Sequence, residues 1–342
     1  GEVILESGKT YLLTGKLQVN NSAKLTIQAG ATIKATPVSN SNPSIRYIAV
    51  AQGGQIFVNG TATNPVIMTA ETQTPGSWGG LVICGKAPIN KGASASAEVS
   101  DLTYGGAISN DNSGSIKYLR IEYPGYAYNS SKEFNGLSLF GVGSGTVIDY
   151  VQVFDSSDDG YEWFGGTVNA SHLVSNNVST SVVGDDLFDW TEGWNGTGEF
   201  WYGIRTNGGN RGFEADNNSN NHLATPISSP TISKITLIGT NGGGENHGMK
   251  LRVGTKGSFD NVVLSNWGTG FDIQHDECIS YVGTSLKATN VKFDNVTTKS
   301  KGTSTASTPV DVTAFYTENA SATGAGNGTS VPTWATGWTT GL

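Results

Sequence analysis

DDGYEW at Asp158–Trp163 and DDLFDW at Asp185–Trp190 are two copies of one phrase, and their acidic pairs lie 27 residues apart. The same spacing separates Leu237, Leu264 and Val291 farther along the chain. Each window contains short stretches of alternating apolar and polar residues, which end in turns rich in Gly, Asn, Asp or Ser. A constant shift of this size is typical of a solenoid in which each window forms one coil.

The repeat predicts the fold class. Three strands of about 5 residues with their turns fill one window, so the sequence predicts an all-β, right-handed parallel β-helix of roughly twelve coils. We expect a single domain over residues 1–342, with irregular loops near 92–114 and 216–230 and a C-terminal segment, 300–342, that packs on the solenoid. A propeller would need blades of about 40 residues, and a β-sandwich would not produce a constant shift.

Composition and charge exclude several function classes. Glycine supplies 47 of 342 residues, charged residues make up only 14%, and the net charge is −8. The chain has no run of Lys and Arg, so we expect no nucleic-acid partner. It also lacks a stretch of about 18 apolar residues, so we expect no membrane span. Abundant Asn, Ser, Thr and Gly fit a secreted or cell-surface protein. Cys84 and Cys278 are interpreted as two buried thiols in preference to one disulfide bridge.

Alignment of the central windows predicts columns of equivalent side chains. Strand alternation places alternate columns inside and outside the coil. The inward columns are Tyr161, Phe188, Phe213, Met249 and Phe271, and Trp163, Trp190, Ala215, Leu251 and Ile273. The outward columns are Glu162, Asp189, Glu214, Lys250 and Asp272, and Phe164, Thr191, Asp216, Arg252 and Gln274.

The outward charges have two interpretations. They could form a solvated face that keeps the protein soluble, or a ligand-binding ladder in which Lys250 and Arg252 neutralise neighbouring acids. The candidate ligand-binding residues are Glu162, Asp189, Glu214, Asp216, Lys250, Arg252 and Asp272, with Trp201 as an aromatic platform for a sugar.

The acidic pairs in the turns also have two interpretations. Asp158, Asp159, Asp185 and Asp186 stand just before equivalent strands, so their carboxylates should stack on successive coils. Such carboxylates cap turns through hydrogen bonds, or they bind Ca²⁺ through their oxygen atoms. We expect turn capping to be their main role, with Ca²⁺ as an optional ligand and no required cofactor.

Several phrases resemble one known family. They are SGKTYLLTGKLQVNNSAKLTIQAGATIKA (7–35), GSWGGLVICGKAPIN (76–90), IKYLRIEYPGYAY (116–128), DDGYEWFGGTVNASHLV (158–174) and WATGWTTGL (334–342). They are similar to a large family of secreted, pectin-lyase-like, right-handed parallel β-helix proteins of Bacteroidota and relatives, for which no reaction is established. The resemblance implies this fold, secretion and an extracellular role.

Two classes of function follow. The first is a non-catalytic structural, adhesive or glycan-binding protein, with polysaccharide, other surface proteins or end-to-end stacked copies of itself as partners. The alternative is a polysaccharide hydrolase or Ca²⁺-dependent lyase that uses Asp189, Glu214, His247, Lys250 and Arg252. Polygalacturonases resemble this outline, but the Asn-Thr before Asp158 is missing and the basic residues follow His247 too closely.

Overall fold

The protein is a right-handed parallel β-helix with three faces. A computed structural model describes residues 1–242 and 245–342. Within these residues, each face contains ten stacked parallel strands or strand segments, and a further short strand, Tyr316–Glu318, pairs in parallel with the last of them beside face A. The solenoid therefore has ten coils where the sequence predicts roughly twelve, because inserted loops use residues that the spacing alone allots to coils.

The elements follow one another in a regular order. The first three coils use nine short strands, β1 (Glu2–Leu5), β2 (Thr10–Leu13), β3 (Lys16–Val19), β4 (Lys24–Gln28), β5 (Thr32–Ala35), β6 (Tyr47–Val50), β7 (Gln55–Asn59), β8 (Val66–Ala70) and β9 (Leu81–Cys84). An insertion carries β10 (Ala95–Ser96) and β11 (Thr103–Tyr104). The central coils use β12 (Gly114–Glu122), β13 (Ala127–Asn129), β14 (Lys132–Glu133), β15 (Leu137–Phe140), β16 (Val147–Phe154), β17 (Tyr161–Phe164), β18 (Asn169–Asn177), β19 (Phe188–Thr191), β20 (Thr197–Arg205), β21 (Phe213–Asp216), β22 (Thr231–Ile238), β23 (His247–Arg252), β24 (Gly257–Gln274), α1 (Asp276–Tyr281) and β25 (Leu286–Thr303). The chain ends with β26 (Pro309–Val310), a 3-10 turn (Thr313–Phe315), β27 (Tyr316–Glu318) and a second 3-10 turn (Thr333–Ala335).

We name the faces A, B and C in the order in which the chain visits them. Face A begins with β1, face B with β2 and face C with β3. From β12 onward, one long strand covers faces A and B and bends between them at a single residue. Face C continues through β15, β17, β19, β21 and β23 into the last parts of β24 and β25.

The bends between faces A and B form a stack of side chains that we call the corner ladder. Its members share a left-handed backbone conformation, with φ between 50° and 59°: Tyr118, Tyr150, His172, Phe200 and Lys234. This conformation is unfavourable for residues other than glycine. Ring stacking offsets the cost, because the centroids of Tyr118 and Tyr150 are 4.3 Å apart and those of Tyr150 and His172 are 4.1 Å apart.

The interior is a column of large side chains in the predicted register. Tyr161, Phe188 and Phe213 occupy successive positions of β17, β19 and β21, and each is fully buried. The ring centroids of Tyr161 and Phe188 lie 5.3 Å apart, and those of Phe188 and Phe213 lie 5.5 Å apart. The backbone pairing reproduces three of the predicted columns in full, and in the fourth it connects Phe164 with Thr191 and Asp216 with Arg252.

Two segments cover the outside of the solenoid with further apolar clusters. The insertion after β9 packs on the first half of face C, where the outward residues Val82, Cys84 and Phe140 are fully buried. The C-terminal segment turns back onto face B and places Trp338 over Val174 and Tyr202. The loop at 217–230 contains no strand, whereas the insertion includes the antiparallel hairpin β10–β11.

The two ends of the solenoid differ. Within the described residues, β1, β2 and β3 each pair on one side only, and Val3, Ile4 and Leu12 are more than half exposed. At the other end, Phe315 is buried and packs on Phe271 beneath the chain that follows β25. End-to-end stacking would use such unpaired strand edges, and it stays a prediction.

The two cysteines are separate buried thiols, in accord with the sequence interpretation. Burial raises the pKa of both Cys84 and Cys278 to about 12. Because the thiolate is the reactive form, we expect both to resist a thiol-specific reagent in the native protein at neutral pH. Colorimetric titration checks this, with two thiols released in guanidinium chloride as the control. Rapid labelling of the native protein would contradict the expected burial.

Candidate functional site

The outward row of face C is a continuous ladder of polar side chains, which we call the polar ladder. Backbone pairing connects Glu162, Asp189, Glu214, Lys250 and Asp272 in this order on successive coils. Neighbouring members therefore lie about 4.8 Å apart along the solenoid axis. The interpretation as a solvated face is wrong, since Asp189, Glu214 and Lys250 are 8%, 9% and 5% exposed and Asp272 is fully buried.

An open groove of about 420 Å³ lies at the start of this ladder. Its lining residues come from the solenoid and from loops that cover face C: Glu98, Ser130, Ser131, Lys132, Glu133, Asp158, Asp159, Glu162 and Asp185. Six of these residues are acidic and one is basic. The negative potential of this groove attracts cations and repels polyanions.

The turn acids at the groove cap the next coil through hydrogen bonds. The carboxylate of Asp159 accepts from the backbone N–H of Asp186 at 2.9 Å. The carboxylate of Asp186 in turn accepts from the backbone N–H of Arg211 at 2.9 Å and pairs with the Arg211 guanidinium. Of the four turn acids, Asp159 and Asp186 therefore act as caps, each for the turn of the following coil.

The same acids also converge in space. Asp158, Asp159 and Asp185 can each offer one oxygen within 4.8 Å of the others, and so can Asp159, Asp186 and Asp189. Burial, and the repulsion between these neighbouring carboxylates, raise the pKa values of Asp159, Asp186 and Asp189 well above the usual range. The cluster is therefore short of positive charge in the described part of the chain.

In the second half of the polar ladder, basic side chains form ion pairs with acidic side chains. Arg211 lies 3.2 Å from the Glu214 carboxylate and 2.5 Å from that of Glu245. Arg252 contacts Glu214 at 2.7 Å and Asp216 at 2.8 Å. Arg252 therefore pairs with two acids of the outward columns, whereas Lys250 pairs with Glu245, a turn acid outside these columns.

A comparison with known families now places the chain. A family model described as a pectate-lyase like beta helix domain matches residues 1–339. The protein belongs to this family. No curated protein and no solved structure matches the chain. The family match confirms the β-helix and the pectin-lyase-like resemblance of the sequence, but it identifies no reaction.

His247 lies at the far end of the polar ladder of this pectate-lyase-like β-helix. Its Nδ1 is 3.4 Å from the Asp272 carboxylate, and burial lowers the pKa of the imidazole. His247, Lys250 and Arg252 all belong to β23, which is two coils beyond β19 and Asp189. The polar ladder thus brings the candidate catalytic residues onto one face, with the acids and the basic residues on different coils.

The assignment of Trp201 to a ligand surface is wrong. Its side chain is fully buried in the solenoid, where its ring centroid lies 4.9 Å from that of Trp163, and its indole N–H donates to the carbonyl of Ala170. The left-handed bend at Phe200 resets the in–out alternation so that Trp201 points inward. Its neighbour Tyr202 points outward, but the C-terminal segment covers it.

Several functional candidates were not found by sequence reasoning. Glu98 lines the groove from a loop and Glu133 from the short strand β14, and Arg211 and Glu245 join the ladder from turns. None of these positions repeats with the coil spacing, so the periodic pattern carries no signal for them.

No helix in the described part of the chain is long and apolar enough to cross a membrane.

Proposed function

We propose that this protein is a non-catalytic, secreted or cell-surface β-helix that binds an extracellular polysaccharide in the groove on face C. The observation that carries the proposal is the groove itself, which is open, polar and formed jointly by the polar ladder and the inserted loops. Carboxylate pairs accept hydrogen bonds from sugar hydroxyls, and an open groove accepts a chain without enclosing it. All nine residues that line the groove in the described part of the chain are polar or charged, which fits a polar ligand.

The proposal is tested by a variant that fills the groove without altering its charge. Ser131 lines the groove and is exposed, so Ser131→Trp should obstruct it and weaken glycan binding by at least about tenfold. Thr231→Trp, at an exposed position on face A, is the matched control and should bind like the wild type. A glycan array followed by calorimetry provides the measurement. If the wild-type protein binds no glycan on the array, the proposed function is refuted.

A second candidate function is cleavage of the bound polysaccharide. The contact between the buried Glu214 carboxylate and Arg252 favours it, because hydrolysis needs two carboxyl groups and elimination needs a base and a cation. The candidate residues are those predicted from the sequence: Asp189, Glu214, His247, Lys250 and Arg252. New reducing ends or an unsaturated product would support cleavage. If Glu214→Gln forms neither product, the cleavage site lies on the polar ladder.

A further inference from the structure

We propose that helix α1 and the loop at 217–230 form an acid-released latch, which opens when His275 takes up a proton. His275 directly follows β24 and precedes α1. Its Nδ1 accepts a hydrogen bond from the backbone N–H of Val253 at 3.0 Å. In addition, the Nδ1 of His222 in the loop lies 2.9 Å from the carboxylate of Glu277 in α1. These two contacts join the start of α1 to the chain just after β23 and to the loop.

The contact between His275 and Val253 requires a neutral imidazole. A backbone N–H can only donate, so the Nδ1 atom that accepts from it must offer a lone pair, and the ring proton lies on Nε2. Protonation would place a second N–H opposite the N–H of Val253 and replace the hydrogen bond by a repulsive contact. Acid therefore removes the bond that ties His275 to the preceding coil.

The charges around His275 add to this effect. The ring centroids of His222 and His275 are 4.8 Å apart, so two protonated rings would repel each other. Arg252 of β23 also repels a proton on His275, whereas Glu277 attracts it. Burial, together with the repulsion from His222 and Arg252, outweighs the attraction of Glu277 and lowers the pKa of His275 below its usual range. The closed latch therefore favours the neutral ring.

The other groups at this junction do not offset a charge on His275. Asp216 of β21 pairs with Arg252 at 2.8 Å and compensates part of its charge at neutral pH. Burial raises the pKa of Asp216 to about 6, so this compensation decreases in the pH range in which His275 gains its proton. The thiol of Cys278 in α1 is uncharged, since burial raises its pKa to about 12. From β25, the carbonyl of Thr303 accepts from the backbone N–H of His275 and carries no charge.

The backbone of His275 is an independent sign of a segment that can switch. Its φ of 75° and ψ of 148° lie in a region that residues other than glycine rarely adopt. The His275 side chain also makes no capping hydrogen bond to α1. Such a conformation persists only where surrounding contacts hold it, and these positions are common in switch regions. Loss of the Val253 bond removes one of these contacts, so α1 can undock while the sheet beneath it stays paired.

Cys278 reports whether the latch is open. Its side chain is fully buried, and its Sγ accepts a hydrogen bond from the backbone N–H of Gly254 at 3.2 Å. Cys84 is fully buried under the insertion on face C and serves as the reference thiol in the same molecule. Dithiodipyridine labels exposed thiols in acid as well as at neutral pH. We expect the labelling rate of Cys278 relative to Cys84 to rise at least about tenfold from about pH 7.5 to about pH 5.

His275→Asn tests the origin of this response. Asparagine offers an oxygen acceptor to the N–H of Val253, tolerates positive φ and does not titrate, so the relative labelling rate should stay low in acid. His172→Asn, in the corner ladder, is the matched control and should respond like the wild type.

If His275→Asn does not fold, His222→Gln replaces it and should shift the response to lower pH, because it removes one repelling charge. An unchanged labelling ratio in the wild type would overturn the inference. So would an equal acid response in His275→Asn, or in His222→Gln where that variant replaces it. Simultaneous labelling of Cys84 and Cys278 in acid would indicate global unfolding and would also contradict a local latch.

Discussion

Replacement of Phe188 by alanine is expected to lower the free energy of unfolding by about 3–5 kcal/mol. The ring is fully buried in the centre of the solenoid and contacts Tyr161, Trp201 and Phe213, with centroid separations between 5.0 and 5.5 Å. Alanine would leave a cavity between three rigid rings of the two adjacent coils, Tyr161 from the preceding coil and Trp201 and Phe213 from the following one. Because neighbouring coils supply one another's core, the loss would affect the interfaces on both sides of β19.

Chemical denaturation of Phe188→Ala, followed by tryptophan fluorescence, checks the value. Phe200→Ala is the matched control, because it removes the same side chain from the half-buried corner ladder. We expect Phe200→Ala to lower the free energy of unfolding by about 1 kcal/mol, because it removes the stacking on His172 and the contact with the Lys234 ammonium. Equal losses of unfolding free energy in the two variants would contradict a core in which the aromatic rings of successive coils pack on one another.

The register of face C was predictable because a single physical rule fixes it. In a strand, alternate residues point to opposite sides, and one buried column aligns all of the others. The aromatic residues at Tyr161, Phe188 and Phe213 identify that column from the sequence alone. The polar ladder from Glu162 to Asp272 follows by alternation, as the backbone pairing confirms.

Alternation fails where the chain bends or where another segment covers a face. A left-handed residue at each bend between faces A and B resets the pattern from β12 onward, so Trp201 is inside although the sequence predicts it as an outward platform for a sugar. Alternation also does not distinguish an outward side chain in water from an outward side chain beneath a loop. Phe140 and Phe164 point outward and stack with their centroids 4.0 Å apart under the insertion.

The burial of Asp189 and Lys250 has the same explanation, and it changes what the site can do. Exposed charges in a row are weakly coupled because water screens them, whereas buried charges require partners. The sequence identifies the residues of the polar ladder, but the loops and turns that bury them contain no repeat. Arg211 shows the consequence, since one turn residue contacts three acids, Asp186, Glu214 and Glu245.

The C-terminal segment is expected to stabilise the solenoid as an outer cover. Trp338 is 1% exposed, and its ring packs edge-on against Tyr118 and Tyr150 of the corner ladder. Farther along, the backbone of Thr340 exchanges two hydrogen bonds with the buried side chain of Gln152. These contacts join the end of the chain to coils that lie far from it in sequence.

Trp338→Ala should therefore lower the free energy of unfolding by about 3 kcal/mol and release the segment for proteolysis. Denaturation and limited proteolysis with mass spectrometry measure the two effects, and we expect cleavage after Glu318, the end of β27. Leu342→Ala is the control, because Leu342 is 42% exposed and should cost almost nothing. Removal of Trp338 uncovers Tyr202 and Val174 as well. A Trp338→Ala protein as stable and as resistant to protease as Leu342→Ala would show that the cover contributes no stability.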